Sequence, residues 1–131
     1  VQRGDGFWTI AEHFSHLAQV QPMLLKRIER FMTEDCPDFI PYNPGSAEGP
    51  DTPERMSSEI ALDQFSSYRA SQLQLLEHTD EATWKKQATH PEYDEYSLYI
   101  LARHVLMHDH WHMYRMEELR LTRDAYLTTL G

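Results

Sequence analysis

The sequence predicts an all-α fold, an antiparallel up-and-down helical bundle. Apolar residues recur at spacings of three, four or seven along three long stretches, and no segment alternates apolar with polar residues as a half-buried strand would. The size agrees with this. A chain of 131 residues suits one domain, expected to span 1–131, and can bury roughly two-thirds of the surface it exposes when unfolded. With 40% hydrophobic and 25% charged residues and only 5 Gly, its composition is that of a globular protein.

The first helical stretch runs from Trp8 to Met32, with Ile10, Phe14, Leu17, Leu24, Ile28 and Phe31 on one face. Thr9 and Glu12 have the spacing of a capping box, which marks the start. Pro22 lies inside the pattern and lacks the N–H that the ladder needs, so a kink or break is expected there. From Asp35 to Pro53 the helical period stops, and five of the 7 prolines fall in DCPDFIPYNPGSAEGPDTP. A loop this long either covers a site or is a surface connector packed down by Phe39, Ile40 and Tyr42. The second helix is expected to open at Thr52, with Pro53 in the first turn, and to reach about His78 with Leu62, Phe65, Leu73 and Leu76 facing inward. A short piece, DEATWKKQ, and a turn, THPEYDEYS, lead to Ser97, the expected cap of a third long helix that ends near Leu121. The tail TRDAYLTTLG adds at most a short fourth segment.

Charge and composition exclude several classes. A net charge of −9, with no local cluster of Lys and Arg among aromatics, repels a phosphate backbone, so nucleic acid is not an expected partner. No apolar run reaches the 18 or so residues of a membrane helix, and VQRGDGFW lacks the order of a signal peptide. A cytoplasmic protein is the expectation. Cys36, the only cysteine, can form no internal disulfide and has no Arg, Lys or His beside it to activate its thiol.

The chemistry concentrates in RHVLMHDHWHM, residues 103 to 113, which holds half of the 8 histidines. At 100° per residue His104, His108 and His112 share an inward stripe, and His110 points away. His104 and His112 lie about 12 Å apart along the axis, whereas two imidazole nitrogens on one ion are at most ~4.2 Å apart. A metal pair is therefore His104 with His108 or His108 with His112, as in other helical His-x-x-x-His sites. Two ligands hold an ion weakly, so a third must come from another helix. The first helix offers His13 and His16, and periodicity favours His13. The competing reading is a set of hydrogen-bonded core histidines. A di-iron carboxylate bundle is excluded because no Glu-x-x-His occurs. No nucleophile signature stands out, and Asp109 points off the stripe, which suits a hydrogen bond to a ligand or a surface charge.

WTIAEHFSHLAQV, followed downstream by THPEYDEYSLYILARHVLMHDHWHMYRMEEL, resembles the DinB-like superfamily, which includes the YfiT type. In that family a tryptophan followed by Ser or Thr has a histidine eight residues after it, and a later helix carries a His-x-x-x-His pair. Trp8, Thr9 and His16 match the first segment, His108 and His112 match the pair, and Asp109 fills an often acidic slot. PDFIPY and HPEY also look like family loops, so the resemblance runs from about Gly6 to Leu119. It implies a four-helix bundle that binds a divalent metal through His16, His108 and His112, with zinc or nickel first and iron or manganese as further candidates. It also implies a metal-dependent enzyme acting on a small molecule, either a thiol-dependent S-transferase using a low-molecular-weight thiol such as bacillithiol or mycothiol, or a hydrolase.

One departure stands out. The family usually has a helix upstream of the tryptophan segment, and here seven residues precede Trp8. The expectation is that the usual N-terminal helix is trimmed, or replaced by residues 122–131 or by a partner subunit, which makes a homodimer plausible. The alternative to the enzyme is a non-catalytic helical dimerisation module with structural core histidines.

Overall fold

The computed structural model describes residues 8–40 and 54–121. Its helices are α1 (Ile10–Gln19), α2 (Gln21–Thr33), α3 (Ser58–Glu77), α4 (Glu81–Trp84) and α5 (Leu98–Leu121). The described residues form an all-helical bundle. Isolated bridges, Asp38 with Thr89, Gln87 with Ser97 and His90 with Tyr93, are the extended pairings among them. No described helix is long and apolar enough to cross a membrane. The expected tail segment, Tyr42, and the Thr52–Pro53 start lie outside the described residues.

Local chemistry sets the ends of these helices. Thr9 Oγ1 accepts from the Glu12 N–H at 3.1 Å, and Glu12 Oε1 accepts from the Thr9 N–H at 2.9 Å, closing the capping box that the sequence predicts. Ser97 Oγ accepts from the Ile100 N–H at the start of α5. The second long helix begins later than expected. Ser57 caps it, accepting from the Ile60 N–H at 3.2 Å, and residues 54–57 are not helical.

Pro22 breaks the first helix at Val20, between α1 and α2, and sits in the first turn of α2, where its missing N–H matters least. The loss falls on the carbonyl of Ala18, four residues back, in a residue with no exposed surface. Gln64 on α3 donates to it from Nε2 at 3.0 Å. One turn on, Gln21 and Gln72 are both buried, and Gln72 Nε2 donates to Gln21 Oε1 at 2.9 Å while Gln21 Nε2 donates to the Leu17 carbonyl at 2.7 Å. The break is thus fastened to α3 by side-chain amides.

These contacts also give the topology. Met56 with Ser15, Gln64 with Ala18, Gln72 with Gln21 and Thr79 with Met32 rise together along the chain, so α1–α2 and α3 share a direction. α1 and α3 therefore begin at the same end of the bundle. α5 runs antiparallel to α1–α2, placing His108 opposite His16 and Tyr96, just before its start, beside Phe31.

The apolar core lies at the α2 end. Val20, Leu24, Ile28 and Phe31 pack against Phe39, Tyr96, Leu98, Leu101 and Val105. Phe31, Phe39 and Tyr96 form a ring cluster with centroids 5.3 to 6.4 Å apart. Burying each such ring contributes on the order of 2–3 kcal/mol.

Three inward assignments are corrected. Leu62 and Leu73 are exposed, and α3 instead turns Ala61 and Gln72 inward. A face that docks through a small residue and amides is invisible to apolar periodicity. Ile10, in the first turn of α1, is exposed as well. Cys36 is an exposed free thiol.

The Gln64 bond yields a test. Gln64→Ala should lower stability by about 1–2 kcal/mol, because it strands a buried carbonyl, and the loss should shrink in a Pro22→Ala background where the helix supplies its own donor. Urea denaturation of the double-mutant cycle measures this. A loss independent of residue 22 contradicts the account.

Candidate metal centre

α1 has a polar buried face: His13, Ser15 and His16 are all buried. Because α5 crosses it antiparallel, the α1 histidines meet the middle of α5. His16 Nε2 lies 3.2 Å from His108 Nε2, and His112 Nε2 lies 3.1 Å from the same atom. One ligand atom from each ring falls within 4.8 Å of the others. Nitrogens sharing a tetrahedral ion at ~2.1 Å stand about 3.4 Å apart, so the spacing fits one ion.

The protonation states fit too. Burial is the main force pushing all four rings toward neutrality, and it lowers His13 and His16 to about 4. The His108 and His13 rings push His16 in the same direction, and Arg115 pushes His13. His112 is lowered further, by burial and then by His108, His16 and His13. His108 is lowered by burial, against the opposing pull of Asp109. Neutral imidazoles keep a lone pair for a cation, and a cluster of protonated rings would repel one.

His13 sits beside this cluster rather than in it. Its Nδ1 is 2.8 Å from Nδ1 of His112, the nitrogen on the far side from the three that converge. Periodicity favours His13 as the third member, but the structure brings His16 to that place. Residues 13 and 16 are one turn apart on the same face, so both reach α5 and only the crossing decides which meets His108. Trp8 roofs the cluster, stacking on His112 at 5.7 Å and lying 4.9 Å from His16.

The remaining histidines fall elsewhere. His110 is exposed, as its phase predicts. His104 is half-buried one turn from His108, with its ring 5.3 Å from that of Tyr93. It lines a cavity of about 390 Å³ that also touches His108, Arg27, His90, Tyr93 and Tyr96.

Asp109 is the residue that sequence reasoning misplaced. It is buried, and its Oδ2 accepts from Arg69 on α3 at 2.6 Å. Arg69 is itself held by Gln72 Oε1 at 2.9 Å, which links the amides under the helix break to the residue after His108. The buried stripe of α5 is Leu98, Leu101, Val105, Asp109 and His112, rotated from the one centred on His108. An Arg and a Gln at i and i+3 on the facing helix were the available signal.

The sequence profile of the DinB superfamily matches residues 1–116. The chain belongs to the DinB superfamily. Comparisons with the curated proteins and with the solved structures return no match. Within this DinB chain, the three clustered histidines occupy the positions that the family resemblance singles out.

The lowered histidine pKa values set a pH dependence. An unfolded histidine titrates near 6.5, whereas in the native state His13 and His16 do so near 4. Below pH 6.5 the unfolded chain therefore binds more protons, and stability falls as pH drops from 6.5 toward 4, by up to about 1.4 kcal/mol per pH unit for each such group. Urea melts of the chelator-treated DinB domain at pH 7.5, 6.0 and 5.0 should show the decline. Equal stability at all three values contradicts burial of neutral rings.

Proposed function

We propose that this DinB domain is a divalent-metal-dependent enzyme whose ion is held by the Nε2 atoms of His16, His108 and His112. The observation that carries this reading is the convergence of those three atoms, from antiparallel helices, among rings that burial keeps neutral. Zinc or nickel suits an all-imidazole set, and iron or manganese remains compatible with it. An ion with three protein ligands keeps open positions, where it lowers the pKa of a bound water or thiol.

The reaction we assign is S-transfer, in which the sulfur of a low-molecular-weight thiol bonds to an electrophilic carbon as that carbon's bond to its leaving group breaks, the leaving group departing with the electron pair and the thiol proton passing to solvent. Hydrolysis is the same reaction with water as nucleophile. The small-molecule substrate is assigned to the cavity that shares His108 as a wall. Its volume is within the usual range for such ligands. Val20, Leu24, Leu101 and Val105 give it an apolar lining, and Arg27 adds a cation at its edge. Trp8 limits access of water to the histidines from its side.

A second reading, a dimerising helical module with structural histidines, draws on the exposed Leu106, Met107, Met113 and Tyr114 of α5 and on Leu62 and Leu73 of α3. A homodimer is compatible with both readings. Metal analysis after gentle purification separates them. The enzyme reading expects about one zinc or nickel per chain, loss of that metal in His108→Ala, and a lower melting temperature on adding chelator. Saturating metal at a hundredfold excess over Kd contributes about 2.7 kcal/mol of stability. Metal-free wild type that ignores both chelator and added ions favours the module.

A further inference from the structure

We propose that His13 is a positioning residue for the metal site, accepting a hydrogen bond at Nδ1 from the Nδ1–H of His112 and so fixing the tautomer of that ring. The inference rests on the metal-site reading of His16, His108 and His112. Its starting point is the 2.8 Å separation of the two Nδ1 atoms. A neutral imidazole carries one proton, so a nitrogen-to-nitrogen contact this short needs one ring as donor and the other as acceptor.

The two arrangements have opposite consequences. If His112 donates from Nδ1, its Nε2 is bare and faces His108 Nε2 at 3.1 Å with a lone pair. If His13 donates instead, the proton of neutral His112 sits on Nε2 and points into the cluster. Only the first arrangement lets His112 act as a ligand. His13 then carries its own proton on Nε2, and its choice of tautomer decides that of His112.

The surroundings hold His13 to this task. Both rings are buried, at 4% and 3% exposure, so water competes little for the bond. The His13 ring lies 5.3 Å from Trp8 and 6.1 Å from Trp111, edge-on to both, which restricts its rotation. By contrast, His108 Nδ1 is buried without a hydrogen-bond partner among the described residues. Of the pair on α5, His112 is thus the ring whose outer nitrogen the protein anchors. Partners of this kind, bonded to a ligand's second nitrogen, change metal affinity by about 10–100-fold when removed.

The experiment uses the full chain, with zinc affinity measured by competition against a chromophoric chelator. His13→Phe should weaken zinc binding about 10–100-fold, while His13→Gln, whose side-chain carbonyl still accepts, should recover most of the loss. Circular dichroism reports folding of each variant. In parallel, nitrogen-15 NMR of the zinc-loaded wild type should show a coupling across the hydrogen bond between the two Nδ1 atoms. That readout needs no variant and does not respond to a merely space-filling role. Absence of the coupling overturns the proposal, as does folded His13→Phe with wild-type affinity. Should His13→Phe fail to fold, the coupling and His13→Gln decide. Wild type that takes up no zinc overturns the metal-site reading itself, whereas zinc binding indifferent to residue 13 overturns only the role of His13.

Discussion

Burial of polar groups along α1 is the constraint on which the rest of the structure depends. His13, Ser15, His16 and the Ala18 carbonyl all lie inside, and a buried polar group without a partner costs about 1–3 kcal/mol. All of them are met from outside α1. Ser15 Oγ accepts from the Met56 N–H just before α3, the Ala18 carbonyl takes Gln64, and the histidines take α5. The positions of α3 and α5 around α1 are therefore set by hydrogen-bond partners as well as by shape. The apolar core at the α2 end then closes the assembly.

The histidine cluster follows from the same constraint. Two antiparallel helices with polar faces can bury them together only if the rings satisfy one another or a shared cation. Desolvation removes the charged forms, leaving four neutral rings, each with one N–H and one lone pair. Such a cluster favours a cation at its centre and one defined set of tautomers around it. The Arg69–Asp109 pair, one residue from His108, is a part-buried ion pair whose Asp109 end lies inside, so removing Arg69 leaves a buried carboxylate without its partner. Its position fixes the rotation of α5 about its axis, and so the direction in which His108 and His112 point.

Much of this was legible in the chain. The capping box at Thr9, the break at Pro22, the cap at Ser97 and the inward phase of Leu17, Leu24, Ile28 and Phe31 are local effects, set by residues within one or two turns. The exclusion of His110 and the separation of His104 from His112 are helical geometry alone. What escaped was the small and amide face of α3 and the burial of Asp109. Ala61 and Gln72 displaced Leu62 and Leu73 from the interior of α3, and Asp109 proved buried because its partner lies on a helix 40 residues away in sequence.

The sequence by itself determined the helices, most of their ends apart from the start of α3, and the short list of imidazoles that one ion could share. Those properties depend on intrahelical spacing, which is fixed at 100° and 1.5 Å per residue. Periodicity favoured His13 and the family resemblance His16, and only the tertiary structure gave the former a bond to His112 and the latter a place opposite His108. The reason is that both residues lie on one face of α1, and the register of an antiparallel crossing is set by packing summed over both helices, which no single stretch of chain contains.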